Sequence, residues 1–247
     1  MEAIFEPIEV QSLKEACLHQ LEGMIFSGRL HAGEKLPSER QLATQLGVSR
    51  PILHQALVEL EVKGLLEIIP RKGVYICDYR QAGSIVSLAS YLSYHQGEMD
   101  VKLLNNLFDF RKLLEVETAC LAATHRTSEQ LESLKRVQEM EVEAKRESPE
   151  ALTELDFSFH MQVAHASGNL VYPLIMNSFS EVYKSFTGRF FEFYLDSDVI
   201  DKVYQFHDRL LRNISEERDL DAGSTMIEML EHGASHLMEV LNDNHAS

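Results

Sequence analysis

Residues 36–76 constrain this chain more than any other stretch: LPSERQLATQLGVSRPILHQALVELEVKGLLEIIPRKGVYI. Ser38 behind Pro37 is a helix opening, because the hydroxyl can satisfy first-turn amides and proline stops a helix running in from before. Leu42, Ala43 and Leu46 follow on one face at helical spacing, and Gly47 ends that helix. Ser49 is placed to cap a second helix that buries Leu53, Ala56, Leu57 and Leu60, and Gly64 ends it. Two β-prone runs, 65–69 and 74–76, flank Pro-Arg-Lys-Gly. Helix, tight turn, helix and basic-tipped hairpin is the order of a winged helix-turn-helix. Its second helix enters a DNA major groove, and its hairpin tip lies along the flanking backbone or minor groove.

A net charge of −16 argues against a nucleic-acid partner until its distribution is read. Residues 1–80 hold 9 Lys/Arg and 11 Asp/Glu of the chain's 23 and 39, a net of −2; the rest therefore holds 14 and 28, a net of −14. Cations gather in the first part at Arg40, Arg50, Arg71 and Lys72. The acidic remainder is repelled by phosphate and so kept off the duplex.

Around this segment, residues 1–10 read as an extended arm and 12–28 as a first helix with Leu13, Cys17, Leu21, Met24 and Ile25 on one face. A short linker follows at 78–83. Beyond it the sequence shows no strand-like alternation, and Pro149 and Pro173 are its only prolines. Gly97, Thr127, Ser148-Pro149, Gly168-Asn169 and Gly223 divide it into about seven helices, near 84–95, 100–125, 127–146, 149–166, 169–190, 197–216 and 221–243. The expected fold is mainly α: a winged helix-turn-helix over 1–80 with a small β-hairpin wing, and an antiparallel all-α bundle over 81–247 that can enclose a cavity. No apolar run approaches the roughly 18–20 residues of a membrane helix. The acidic N-terminus is not a secretory signal, and Cys17, Cys77 and Cys120 lack metal spacing. These features place the protein in the cytoplasm with reduced thiols.

In the second domain Asp156 and His160 stand four residues apart on one helix face, His207 lies on a later helix, and His232 and His236 lie on the last, again four apart. An Asp and three His converging in a bundle suit a first-row divalent ion such as zinc, nickel or manganese. The competing reading is plain: an Asp–His pair at this spacing is more often a surface hydrogen bond. Arg111 is a cation on an inward face, either paired with Glu115 one turn on or gripping a ligand carboxylate bidentately. Arg189 is a second cation of this kind.

The first segment resembles the winged-helix domain of the GntR family of bacterial transcription regulators. The resemblance rests on Leu36-Pro37-Ser38-Glu39-Arg40, Leu42-Ala43, Gly47-Val48-Ser49-Arg50, Ala56-Leu57, Leu60 and Gly64-Leu65. It implies DNA contacts by Arg40, Ser49, Arg50, Arg71 and Gly73. His54 stands where the family usually carries Arg, so it and Lys72 complete the candidate interface. Residues from about 100 to 243 resemble the FCD effector domain of the FadR subfamily, through Leu107-Phe108-Asp109-Phe110-Arg111-Lys112-Leu113-Leu114-Glu115, Ala122-Ala123, Asp156-Phe157-Ser158-Phe159-His160 and Ala166-Ser167-Gly168-Asn169. That resemblance implies metal ligands Asp156, His160, His207 and His232, with His236 as the alternative last ligand. It also makes Arg111 a cavity residue facing the effector.

The combined expectation is a non-enzymatic, ligand-responsive DNA-binding regulator. A homodimer would read a pseudo-palindromic operator in double-stranded DNA, since one winged helix reads one half-site. It would act as a repressor released by a small anionic metabolite, a carboxylate bound at the metal. The alternatives are a metal-free sensor of acyl-CoA on the same fold and a metal-dependent hydrolase, for which no general base is identifiable.

Overall fold

The structure, a computed structural model, describes residues 12–95, 101–144 and 147–245. The arm at 1–10, the Gly97 turn and the end of the helix expected over 127–146 lie outside these residues. The chain forms two compact units, residues 1–97 and 98–247.

The first unit runs α1 (Leu13–Phe26), α2 (Glu39–Leu46), α3 (Arg50–Val62), β1 (Leu66–Ile69), β2 (Gly73–Ile76), α4 (Tyr79–Ala82) and α5 (Ile85–His95). Ser38 caps α2 in a reciprocal box with Gln41, and Gly47 closes it in the left-handed region at φ 68°. Ser49 sits at the N-cap of α3, but its hydroxyl makes no bond to the helix. The second helical residue is Pro51, which has no N–H to offer it. Leu21, Leu53, Leu57, Leu60, Leu65 and Leu66 fill a core sealed between α1, α3 and the hairpin. The strands pair antiparallel from Leu66↔Ile76 to Ile69↔Gly73. Lys72 N–H donates to Ile69 O at 3.0 Å with Arg71 at φ 65°, so Pro70-Arg71 form the centre of a type II turn. α5, expected at the start of the second domain, packs in the first unit: Tyr91 stands edge-on to Phe26 of α1 at 5.4 Å.

The second unit is entirely helical among its described residues: α6 (Val101–His125), α7 (Ser128–Glu143), α8 (Pro149–Ala166), α9 (Val171–Ser178), α10 (Ser180–Tyr194), α11 (Asp198–Ser215) and α12 (Asp219–His245). The winged helix followed by an all-helical bundle agrees with the expected fold class. Two departures are instructive. The helix expected over 169–190 is two helices broken at Phe179, whose φ is −109° and whose ring stands 5.3 Å from Phe110 of α6. No proline or glycine marks that break. Gly223, expected as a turn, lies inside α12, where a Cβ would come within 2.6 Å of Cys120 Sγ. Beside it on α6, Ala119, Ala122 and Ala123 are fully buried. Small residues thus let α6 and α12 approach closely and form the spine of the bundle.

Gly223→Ala should therefore lower stability by about 1–3 kcal/mol in urea unfolding, despite the better helix propensity of alanine. Cys120→Ala added to it should recover most of the loss by vacating the overlapping volume.

Candidate functional site

Helix α8 presents Asp156 and His160 one turn apart, and α11 brings His207 to them. All three are buried, and one ligand atom from each lies within 4.8 Å of the other two. His207 Nε2 is 3.7 Å from Asp156 Oδ1, is buried and has no hydrogen-bond partner among the described residues. Its Nδ1 lies 2.9 Å from Oε2 of Glu141, buried on α7. His160 Nδ1 lies 2.5 Å from Oε2 of Glu115 on α6, an ion-pair distance without hydrogen-bond alignment. Tyr183 of α10 donates its hydroxyl to Asp156 Oδ2 at 2.9 Å. An imidazole held by a carboxylate on one nitrogen, with the other nitrogen bare and aimed at further ligands, is the usual environment of a metal-binding histidine. One carboxylate oxygen and two imidazoles suit a first-row divalent ion, so the residues present fit a metal.

Glu115 joins this cluster to Arg111. Arg111 Nε donates to Glu115 Oε1 at 2.5 Å, and the guanidinium lies 4.2 Å from the centre of the Tyr183 ring. The i,i+4 salt bridge therefore exists, and Arg111 also faces the cavity. Burial alone would raise the Glu115 carboxyl, but the charges of Arg111 and His160 outweigh it and hold it down at about 2. Burial would lower His207, and the Glu141 carboxylate outweighs it and raises the ring above its ordinary value. Burial pushes the Tyr183 phenol well above the usual tyrosine range, so it stays a donor to Asp156. Arg111 is the one guanidinium beside the carboxylates of Glu115 and Asp156, while Glu141 meets His207, which leaves the cluster at net −2 when both imidazoles are neutral.

Above the cluster lies a cavity of about 50 Å³, lined at its polar end by Arg111, Asp156 and His160. Its walls are Phe108 of α6, Phe186, Phe190 and Phe191 of α10, Val203 of α11 and Leu237 of α12. Arg189 does not line it. Phe186, Thr187 and Phe190 face the cavity, whereas Gly188, Arg189 and Glu192 border an outer cleft with Glu154 and Lys184. Helical periodicity puts Arg189 on the wrong side. Nor does His232 join the three ligands: its Nε2 is 3.2 Å from the carbonyl of Val199, and its ring is only half buried. His236 turns back to the carbonyl of His232 at 2.9 Å. The expected four-ligand set thus has three members together. Glu141 and Tyr183, both missed in the sequence, support two of them from α7 and α10. Only an apolar-face break at Glu141 could have flagged it.

On the first unit Arg40, Ser49, Arg50, Arg71 and Lys72 are exposed. The Ser49 hydroxyl, not used as a cap, is open to a partner. His54 is engaged by Glu39, Nδ1 to Oε1 at 3.2 Å. Gly73 has φ 121°, and a Cβ there would fall 2.8 Å from Lys35 Cε. Lys35 also pairs with Tyr75 in a β-bridge, so it adds a cation to the wing. Its distance in sequence hid it.

Residues 13–76 match the family model for bacterial regulatory proteins of the gntR family, and residues 106–232 match the FCD domain. The chain is 31% identical over 210 residues to the HTH-type transcriptional regulator LutR of Bacillus subtilis, covering 83% of this chain and 91% of that one. It is 29% identical over 180 residues to Mce2R of Mycobacterium tuberculosis, covering 72% and 73%. It is 29% identical over 178 residues to the Glc operon transcriptional activator of Escherichia coli, covering 70% and 68%. Among solved structures, Lar, described as controlling expression of the Listeria monocytogenes agr system, shares the fold with a TM-score of 0.64 at 15% identity over 94% of this chain and 99% of that one. E. coli McbR/YncC does so with 0.53 at 16% identity, over 94% and 100%.

The buried pair makes an acid-stability prediction. The folded-state pKa of Glu115, about 2, lies below its ordinary 4.5, so its contribution is present above 4.5 and is lost as pH falls toward 2. Glu115→Gln should cost about 3–5 kcal/mol at pH 7 by leaving Arg111 uncompensated. Its stability should also fall less steeply than wild type in urea titrations between pH 4.5 and 2. A wild-type slope in the variant would rule out this role for the ion pair.

Proposed function

The chain belongs to the GntR family of bacterial DNA-binding transcription regulators, with an FCD effector domain. On that premise we propose that it is a homodimeric cytoplasmic repressor released by a small carboxylate held at a divalent metal. The observation that carries the reading is the convergence of Asp156, His160 and His207 under a cavity that also exposes Arg111. FCD domains often bind metal, which supports the same assignment. The family consists of regulators, so the hydrolase alternative is set aside.

The residues divide the work. Arg50 opens the recognition helix and would reach base edges, while Arg40, Ser49, Arg71, Lys72 and Gly73 would hold phosphates around it. His54, tied to Glu39, would contribute less than the arginine usual there. The first unit, residues 1–97, would carry DNA binding, and the helical unit, 98–247, effector binding and dimerisation. Asp156, His160 and His207 would hold zinc, nickel or manganese, with the remaining positions left to water and the effector. A bound divalent ion would supply Lewis acidity toward the effector carboxylate. Arg111, oriented by Glu115, would grip the same carboxylate from the other side. Effector binding would then change operator affinity through a coupling energy of typically about 1–3 kcal/mol.

Two measurements test this. In gel-shift titrations Arg50→Ala should cost roughly 1–3 kcal/mol and relax preference at one base per half-site, while Lys72→Ala should weaken all sequences alike and flatten the salt dependence. Unchanged operator affinity for Arg50→Ala would sink the docking mode. Elemental analysis should find one divalent ion per chain, and chelation should lower the melting temperature because the ion joins α8 to α11. Metal content that survives His160→Ala combined with His207→Ala would remove the site.

A further inference from the structure

Helix α3 turns Arg50, Pro51, His54, Gln55 and Val58 outward and buries Leu53, Ala56, Leu57 and Leu60. We propose that His54 is a specificity residue that reads DNA as a hydrogen-bond acceptor. It would select the exocyclic amino group of adenine or cytosine at one position of each half-site, with Glu39 as the positioning residue that fixes its tautomer. This rests on the docking of α3 in the major groove set out above and deepens it. His54 stands one turn after Arg50 on the same face, about 6 Å further along the axis. Base pairs stack about 3.4 Å apart, so the two side chains fall within about two base pairs of each other.

The Nδ1 of His54 lies 3.2 Å from Oε1 of Glu39, the first residue of α2. A carboxylate offers acceptors only, so the proton between them sits on Nδ1 of the imidazole. In the uncharged ring Nε2 is then bare and can only accept. That nitrogen lies across the ring from Glu39, on a half-exposed side chain, and has no hydrogen-bond partner among the described residues. Glu39 is itself held in place, because the start of α2 is locked by the reciprocal cap of Ser38 and Gln41. Arg50 has the opposite character, since a guanidinium offers donors only and suits the acceptors of guanine. Within the major groove the donors are the adenine and cytosine amino groups. Guanine and thymine carry a carbonyl oxygen at the corresponding places, and a bare nitrogen facing it would be desolvated without a partner. One imidazole nitrogen makes a single bond where a guanidinium fork makes two, so His54 contributes more to base identity than to affinity.

The test uses the full-length protein to select duplexes from a pool with a randomised core, at pH 8, where an ordinary imidazole is uncharged. His54→Ala should lose preference at one position per half-site, within about two base pairs of the position lost in Arg50→Ala. Duplexes of the selected sequence then carry single changes at the His54 position in gel-shift titrations. Deleting the amino group, with purine for adenine or pyrimidin-2-one for cytosine, should weaken wild type about three- to tenfold, as for one neutral hydrogen bond, and His54→Ala by less than about twofold. A 7-deaza purine in that base pair removes only an acceptor and should leave wild type unchanged. Exchanging adenine for guanine, or cytosine for thymine, puts an oxygen where the amino group was and should cost wild type about tenfold. Glu39→Gln should reduce that last cost to about threefold or less while keeping the preference due to Arg50. Its amide can donate to Nδ1, which lets the ring turn an N–H toward the base. A loss on the 7-deaza duplex, no loss on deleting the amino group, or wild-type discrimination in Glu39→Gln would overturn the inference. So would wild-type preferences in His54→Ala. If Arg50→Ala also keeps every wild-type preference, the docking of α3 itself is wrong and the inference falls with it.

Discussion

Taking a carboxylate out of water is among the most costly acts in folding unless a cation or strong donors meet it. The helical domain does so three times in one place, with Glu115, Asp156 and Glu141. Its internal order follows from how each is met. Glu115 bridges Arg111 and His160, Asp156 accepts from Tyr183, and Glu141 holds His207. These contacts come from α6, α7, α8, α10 and α11, so the polar cluster ties five helices together at one point. One positive side chain does not balance three negative ones, and the bare nitrogen of His207 faces the deficit. The same imbalance that makes the cluster expensive makes it receptive to a divalent ion.

The close packing of α6 on α12 places the cavity beside that cluster. Alanines on α6 and Gly223 on α12 bring the two helices together at one end, while Phe108 and Leu237 line the cavity toward the other. The space so created is apolar on most sides and charged on one. A molecule held there would meet charge at the Arg111 end and apolar walls elsewhere.

The DNA-reading unit works on a different principle. Its core is mostly leucine, with buried Glu22 of α1 paired to Lys63 at the end of α3, and the side chains proposed to meet DNA are exposed. Helix caps and left-handed residues set the recognition helix and wing at defined positions. Its near-neutral charge with locally grouped cations contrasts with the strongly acidic remainder. Such an asymmetry would steer a polyanion to the first unit without a globally basic surface.

Much of this was legible from residue order alone. Ser38 with Gln41, Gly47, Gly64 and the Pro-Arg-Lys-Gly tip punctuate the winged helix because caps and turns are local interactions, decided within a few residues. The Asp156–His160 pair was readable for the same reason, one helical turn being a local distance. What lay beyond was set by contacts between distant helices. The break at Phe179 carries no turn residue and arises where its ring meets Phe110. Gly223 reads as punctuation but serves helix approach. His232 has the right spacing class, yet its ring meets the carbonyl of Val199, and Arg189 falls on the outer face of its helix. Glu141 and Tyr183 have no spacing relation to the ligands they hold. Sequence by itself determined the two folds and the pairing of Asp156 with His160, through caps and helical periodicity. Tertiary structure decided that His207 joins that pair and what shape the cavity takes, because rotation of one packed helix against another moves a side chain across a whole face.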